Sequence, residues 1–195
     1  IAGIADLAGR VVHRYYDVPK ERRGRGVSVT VSVSCFIPKP FTPFQWEAQN
    51  SLEELSRKQE YLRTCITDRK ISYHYHNAKV SKLEAVFARG DRRLSRVLLL
   101  AAEENRIFDA WDEGFDYDAW VRLFARAGID PTFYSDREFG REEILPWDII
   151  DCGVSKEFLL RERDRAYAEK TTPSCAEHCS GCGASALGGE RRWCR

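Results

Sequence analysis

The residues best suited to chemistry lie near the end of the chain, in the stretch CAEHCSGC. Three and then two residues separate its cysteines Cys175, Cys179 and Cys182. Thiolates at such short spacings let one loop wrap a soft metal, as in zinc and iron–sulfur sites. A closed site needs a fourth ligand. Cys194 is the preferred candidate, because His178 is adjacent to Cys179 and strain opposes its binding the same metal. The run therefore predicts a metal site, with free thiols on a frayed tail as the alternative.

A second group of candidates follows a predicted strand, in the loop CFIPKPFTPFQW. The prolines between Pro38 and Pro43 exclude a helix or a central strand. The side chains expected to line a substrate or cofactor pocket are Ser34, Phe36, Lys39 and Gln45. Lys39 could meet a carboxylate or phosphate as a point charge. The alternative is that the loop only closes a rim and packs on the helices that follow. Cys35 is expected to be a small buried residue rather than a nucleophile.

Arginine and histidine side chains form two further patterns. Arg89, Arg92 and Arg93 lie beside a predicted helix junction, where they could bind an anion such as the phosphate of RNA. Ion pairs with nearby Asp and Glu are the default interpretation. His74 and His76 alternate onto one strand face and could share a metal. No carboxylate or cysteine accompanies them at a recognisable spacing, so we expect a packed or exposed pair.

The composition describes a folded protein with no global preference for nucleic acid or membrane. Of 195 residues, 43% are hydrophobic, and 31 basic residues nearly balance 30 acidic ones. Any basic surface must therefore be local. The longest apolar run is far shorter than the roughly 20 residues of a membrane span, and no signal peptide is apparent. We expect a cytoplasmic protein without a membrane partner. Because the sequence contains no Met, even at its first position, we also expect a fragment of a longer chain.

An α/β pattern fills residues 1–77. Apolar residues at helical spacing predict an opening helix that ends before Pro19. The alternating VSVTVSVS, residues 27–34, predicts a strand whose second face carries only Ser and Thr, which suits a barrel interior or a ligand cavity. A capping box at Ser51 begins a second helix, and residues 71–77 predict a shorter strand. Functional loops of such folds lie at the carboxyl ends of strands.

Helical patterns dominate residues 78–170. The expected boundaries are a start at Ser81, a stop at Gly90, a cap at Asp91, a stop at Gly128 and a cap at Ser155. Trp147 and Asp148 are expected to anchor the last helix. Residues 171–195, rich in Gly, Ser and Cys, would become ordered only around a metal.

Several long stretches carry a resemblance to a known family. They are VSVTVSVSCFIPKPFTPFQW, LEAVFARGDRRL, FDYDAW and LPWDIIDCGVSKEFLLRE, together with the terminal cysteine run. In these, the chain resembles the C-terminal portion of an uncharacterised family of radical SAM proteins, over about residues 4–182. Members have an N-terminal cobalamin-binding-type domain, a radical SAM barrel and a C-terminal extension. They often have another cysteine soon after the position of Cys182, where this chain has Ser185.

The resemblance implies a fold and a function. Residues 1–77 would be the closing strands and helices of a partial TIM-type barrel, 78–170 a helical extension and 171–195 a Cys-rich metal-binding tail. The intact protein would use a [4Fe-4S] cluster and SAM to generate a 5′-deoxyadenosyl radical that acts on an unknown substrate, with cobalamin as a further candidate cofactor. The catalytic cluster motif would lie upstream of Ile1. No catalytic residue is therefore expected in this chain, which alone should not cleave SAM.

The same resemblance also bears on which metal or cluster the terminal cysteines are expected to bind. They follow every predicted strand, whereas the catalytic motif of the family lies in an early barrel loop. A structural zinc or an auxiliary iron–sulfur cluster is therefore the expected occupant.

A function of another class stays open. The chain could be a non-catalytic RNA- or protein-binding helical module with a zinc-knuckle tail, whose Arg-rich patches bind the partner. In a third interpretation the tail is only a stabilising clip.

Overall fold

In the computed structural model, the described residues are 1–107, 109, 111 and 113–186. The helices and strands, in chain order, are α1 (Ala2–Asp17), β1 (Val29–Val33), α2 (Leu52–Cys65), β2 (Ile71–Tyr75), α3 (Ala78–Ala88), α4 (Ser95–Glu103), α5 (Tyr117–Ala127), α6 (Thr132–Ser135) and α7 (Lys156–Tyr167). Short 3₁₀ helices lie at Lys20–Arg22, Arg92–Leu94 and Ala184–Ala186. The chain forms two compact units. Unit 1 is Ile1–Phe36 with Asn50–Leu83, and unit 2 is Ile37–Gln49 with the described residues from Glu84 onward.

Unit 1 is built around a parallel strand pair. β1 and β2 pair in register from Val29 opposite Ile71 to Val33 opposite Tyr75. A parallel pair needs a crossover connection, which α2 supplies. α1 packs against α2 and β1, and the fully buried side chain of Val12 belongs to the core of this unit. Both strands are shorter than predicted, since residues 27–28 and 76–77 lie outside them.

Side-chain caps fix most of the predicted helix boundaries. The Ser51 hydroxyl accepts a hydrogen bond from the N–H of Glu54 at 3.2 Å, and this confirms the predicted start of α2. The Ser155 hydroxyl likewise accepts from Phe158 N–H at the start of α7. Gly128 ends α5 with a φ of 67°, the left-handed conformation that favours glycine there.

The predicted start of the third helix is wrong. α3 begins at Ala78, three residues before Ser81. The side-chain oxygen of Asn77 accepts from Lys79 N–H at 2.9 Å, and Ser81 N–H donates to the carbonyl of Asn77 at 3.0 Å. Ser81 is therefore a buried residue of the first turn, because a suitable cap was present four positions earlier.

Unit 2 has an aromatic core. One cluster of buried residues comprises Trp46, Phe139, Leu145, Trp147 and Leu159. Elsewhere Phe87 lies edge-on to Trp120, with 5.5 Å between ring centroids, and α4 packs on α5. Lys156 Nζ lies 3.2 Å from Asp148 Oδ2, and Trp147 shares the buried cluster with Leu159 of α7, so both residues hold α7 as predicted.

The proline-rich loop belongs to unit 2. The carbonyl of Trp46 accepts from Phe139 N–H at 2.8 Å, and Gln49 N–H donates to the carbonyl of Ser135 at 2.8 Å. Residues 37–49 are thus held by backbone hydrogen bonds to segments some 90 residues later in the chain.

Among the described residues, no helix is both long enough and apolar enough to cross a membrane.

Candidate functional site

The parallel sheet has one face of hydroxyl and imidazole side chains. Thr30 lies opposite Ser72 and Ser32 opposite His74, and all four residues are exposed. The valines of β1 alternate with them and are partly buried. Parallel sheets are normally covered on both faces. A polar face of this kind therefore suits the lining of a lumen, where its groups can donate and accept hydrogen bonds to a ligand.

A cavity of about 210 Å³ lies in unit 1, beside the carboxyl end of β1. Two of the predicted pocket residues, Ser34 and Phe36, line it, and Cys35 lies between them. Among the described residues that line it there is no carboxylate or imidazole. Cys35 is partly buried rather than fully buried as predicted, and its interpretation as a non-nucleophile stays a prediction.

Gln59 of α2 and Tyr73 of β2 contribute polar groups to this cavity. The Gln59 amide donates to the carbonyl of His76 at 2.7 Å and lies 3.4 Å from the sulfur of Cys35. The hydroxyl of Tyr73 is buried and finds no hydrogen-bond partner within the described part of the chain. Burial, with the neighbouring Tyr75, raises the pKa of Tyr73. This phenol is a neutral donor that a ligand could satisfy, and no pattern in the sequence indicated it.

The other two predicted pocket residues lie in unit 2. Lys39 forms an ion pair with Glu84. Gln45 is only 3% exposed, and its Oε1 accepts from Phe41 N–H at 2.9 Å and from Trp147 Nε1–H at 2.7 Å. The four residues are therefore divided between the two units, with Ser34 and Phe36 in unit 1.

Arg89 is a buried residue of unit 2, with 0% exposure. Its guanidinium donates to the carbonyls of Ser135, at 3.0 Å, and Arg137, at 2.9 Å. It also stacks on Phe139, 4.0 Å from the ring centroid. Burial, together with the charge of Arg137, lowers the pKa of Arg89 to about 10, so the side chain is still protonated at neutral pH. It clamps the chain that follows α6.

Arg92 and Arg93 remain at the surface. Arg93 pairs with Asp91 at 2.7 Å and stacks on Phe133 at 5.3 Å from the ring centroid. Because Arg89 is enclosed, the predicted three-arginine group is not one surface, and only Arg92 and Arg93 could contact an external anion.

Alternating arginines and aromatic rings connect these residues. The guanidinium of Arg137 lies 4.4 Å from the ring centroids of both Phe133 and Phe139, so it is stacked between them. Arg89 also stacks on Phe139, at 4.0 Å from the ring centroid, and Arg93 lies 5.3 Å from the centroid of Phe133. The only sequence signal was the mixture of aromatic and charged residues in FYSDREF, which does not specify these partners.

The terminal cysteines are accessible to different degrees. Cys175 is exposed, whereas Cys179 and Cys182 are partly buried. Across the described ranges, no three His, Cys, Asp or Glu side chains converge closely enough to hold a metal ion. The predicted fourth ligand, Cys194, lies outside the described residues. His74 and His76 are exposed.

Part of the tail packs on the start of α7. The carbonyl of Cys182 accepts from Ser155 N–H at 2.9 Å, and Arg161 donates to the carbonyl of Ser180 at 2.6 Å. A Cβ atom at Gly183 would lie 2.8 Å from the carbonyl oxygen of Gly153, so this close approach requires glycine. Cys152, which lies outside the terminal cysteine run, immediately precedes that turn.

No protein-family model, curated protein or solved structure matches this chain. The functional assignment therefore depends on its residues and their geometry.

Proposed function

We propose that this chain is the C-terminal portion of a radical SAM enzyme, and that unit 1 supplies closing strands of its barrel. The observation that carries the proposal is a two-stranded parallel sheet with a polar, exposed face. Parallel strands joined by a helix are the repeating unit of α/β barrels. Two such strands alone are marginally stable, and parallel sheets are usually covered on both faces. Both features support pairing with further strands around a lumen.

In the intact protein, a [4Fe-4S] cluster and SAM would supply a 5′-deoxyadenosyl radical that removes a hydrogen atom from the substrate. The described residues do not fit the cluster, because the cysteines of the tail do not converge and follow both strands. No step of SAM cleavage is assigned to them. Their proposed part is to complete the wall and to bind and orient the substrate through Thr30, Ser32, Ser72 and His74. Cobalamin is a further proposed cofactor of the intact protein.

SAM cleavage tests this proposal. The present chain and a chain extended upstream would be loaded with iron and sulfide, reduced, and incubated with SAM. We expect 5′-deoxyadenosine from the extended chain and none from the present one, measured by chromatography. An extended chain that carries a reduced cluster and leaves SAM intact would contradict the proposal.

The proposed location is the cytoplasm. Cys35, Cys65 and Cys152 are unpaired thiols, and a reducing compartment preserves such thiols.

The alternative function is an RNA-binding module that uses Arg92 and Arg93. One observation favours it: Phe133, which stacks with Arg93, is 42% exposed and offers an aromatic face beside a cation. Bases stack on such platforms. We would measure fluorescence anisotropy of a labelled single-stranded RNA over a salt series, with Arg92→Gln/Arg93→Gln and Phe133→Ala as variants. Weaker, less salt-dependent binding by the arginine variant would support this function, and undiminished binding would exclude this surface.

A further inference from the structure

A second cavity, in unit 2, combines a polar floor with apolar walls. Its volume of about 390 Å³ is that of a site for a small molecule. Its rim carries Ile149 and Ile150, which are 90% and 57% exposed. The remaining apolar walls are Phe41, Trp147, Val154 and Leu159. Apolar side chains as exposed as these isoleucines are expected to gain free energy by covering an apolar ligand.

The floor contains a hydrogen-bond donor of fixed orientation. Gln45 lines the cavity and is 3% exposed. Two N–H groups, from Phe41 and Trp147, converge on its Oε1. A rotated amide would place its own NH₂ against both donors, so the oxygen must face them. The Nε2 group has no hydrogen-bond partner among the described residues. The amide therefore presents an NH₂ donor that a ligand in this cavity can satisfy.

The backbone under this donor is in an uncommon conformation. Phe41 has a φ of 59°, in the left-handed region that residues other than glycine rarely adopt. The hydrogen bond from its N–H to Gln45 holds that conformation, and the Thr42 hydroxyl donates to the carbonyl of Lys39 at 2.7 Å. Strained backbone of this kind often occurs at ligand sites, where it fixes the geometry before binding.

Charges at the rim select against anions. Among the described residues that line the cavity, Asp148 and Asp151 carry negative charge and Lys156 alone carries positive charge. Lys156 Nζ is already engaged, since it lies 3.2 Å from Asp148 Oδ2 and 2.9 Å from the carbonyl oxygen of Glu143. The carboxylate of Asp148 also accepts from Leu145 N–H at 2.9 Å. An anionic ligand would meet an excess of negative charge, so a neutral ligand fits better.

We propose that this cavity binds a small neutral molecule, whose carbonyl oxygen accepts a hydrogen bond from Gln45 and whose apolar body contacts Phe41, Trp147 and Ile149. The site lies wholly in unit 2 and requires no radical chemistry. Its test and the SAM-cleavage test can therefore fail independently.

The test uses the whole 195-residue chain and three matched probes: benzamide, benzoate and toluene. The chain has three glutamines, Gln45, Gln49 and Gln59, and five tryptophans. Selective ¹⁵N labelling therefore gives few side-chain N–H signals, which Gln45→Glu and Trp147→Phe assign. We expect benzamide to shift both the Gln45 NH₂ and the Trp147 indole signals in a saturable way. Benzoate should bind more weakly because of the rim carboxylates, and toluene should leave the Gln45 signal in place.

The decisive variant is Gln45→Glu. It keeps an oxygen for the two N–H donors but replaces the donor that faces the cavity with an acceptor. We expect benzamide affinity, followed at the Trp147 indole, to fall about tenfold or more. Asn105→Asp, which makes the same change from amide to carboxylate at an exposed residue outside this cavity, is the matched control and should leave the affinity unchanged. Melting curves check that each variant is folded.

The second variant changes no residue of the buried cavity floor. Ile149→Ser changes a 90% exposed rim residue and should weaken benzamide binding severalfold through lost apolar contact. The proposal would be overturned by no saturable shift with benzamide, by equal affinity in Gln45→Glu, or by tighter binding of benzoate.

Discussion

At the scale of single residues, Arg89 shows how a buried charge is accommodated. It donates to two carbonyls and stacks on Phe139. Its Nε–H is buried and lacks a partner among the described residues. Burial lowers the pKa of Arg89, but the charges of Asp136, Glu143 and Glu47 oppose this effect, so the pKa falls only to about 10.

Removing this guanidinium should destabilise unit 2. In Arg89→Met the carbonyl of Arg137 loses this donor and the carbonyl of Ser135 keeps only the N–H of Gln49. We expect a loss of about 2–4 kcal/mol in the free energy of unfolding. The control Arg92→Met changes an exposed neighbour and should remain within about 0.5 kcal/mol of the parent. Urea unfolding measures both, and equal midpoints would show that the clamp contributes nothing.

At the scale of elements, α5 shows how local chemistry sets helix ends. The Asp116 carboxylate accepts from Ala119 N–H at 3.0 Å, and this bond, opposed in part by burial, lowers the pKa of Asp116. Gly128 closes the other end. Between them, Trp120, Leu123 and Phe124 recur at helical spacing and are buried.

The cap of α5 can be tested by a matched pair of variants. Asp116→Ala removes the acceptor and should lower the free energy of unfolding by about 1 kcal/mol, whereas Asp116→Asn keeps a capping oxygen and should cost much less. Thermal melts followed by circular dichroism measure the difference. Equal losses would assign the effect to charge rather than to capping.

The tail is the element whose order we expect to depend on a metal. We predict about one zinc ion, or a brown iron–sulfur cluster, per anaerobically purified chain. Cys182→Ser should abolish the metal, and Cys65→Ser, in unit 1, should not. Cys152→Ser and Cys194→Ser then identify the fourth ligand, because Cys152 lies next to the turn that receives Cys182. Metal analysis and visible spectra give the result, and a metal-free parent chain would refute the prediction.

At the scale of the whole molecule, arginine–carboxylate pairs link stability to pH. Hydrogen bonds from arginines lower the pKa values of Asp91, Glu143 and Asp164, through Arg93, Arg137 and Arg141 respectively. A depressed pKa in the folded state means that the unfolded state binds more protons as pH falls. The stabilisation is therefore complete above the ordinary values of 3.8 for Asp and 4.5 for Glu, and is lost as pH falls through the lower folded values.

Thermal stability should consequently decrease from about pH 4.5 downward. Glu143→Gln removes one depressed group and should reduce this acid dependence, at some cost in stability at neutral pH. Glu53→Gln, an exposed neighbour of a helix start, is the control. Melting temperatures between pH 7 and pH 3 provide the measurement, and identical slopes for Glu143→Gln and the parent would contradict the assignment.

The amino-acid sequence by itself determined the helices and strands. The alternating valines of β1, the caps at Ser51 and Ser155 and the stop at Gly128 depend on neighbours within a few residues, so local patterns were sufficient to predict them. The failure at Ser81 has the same origin, because Asn77 offered a competing cap.

Only the tertiary structure decided which of the candidate residues share a site. Gln45 meets Trp147, which lies 102 positions away, and Arg89 meets the carbonyl of Ser135, 46 positions away. No local periodicity encodes such distances. The sequence predicted that residues of the loop after β1 line one pocket. In the structure, Lys39 and Gln45 belong to unit 2, whereas Ser34 and Phe36 belong to unit 1. Burial of Trp46 and Trp147 in one aromatic core, rather than any motif, makes residues 37–49 part of unit 2.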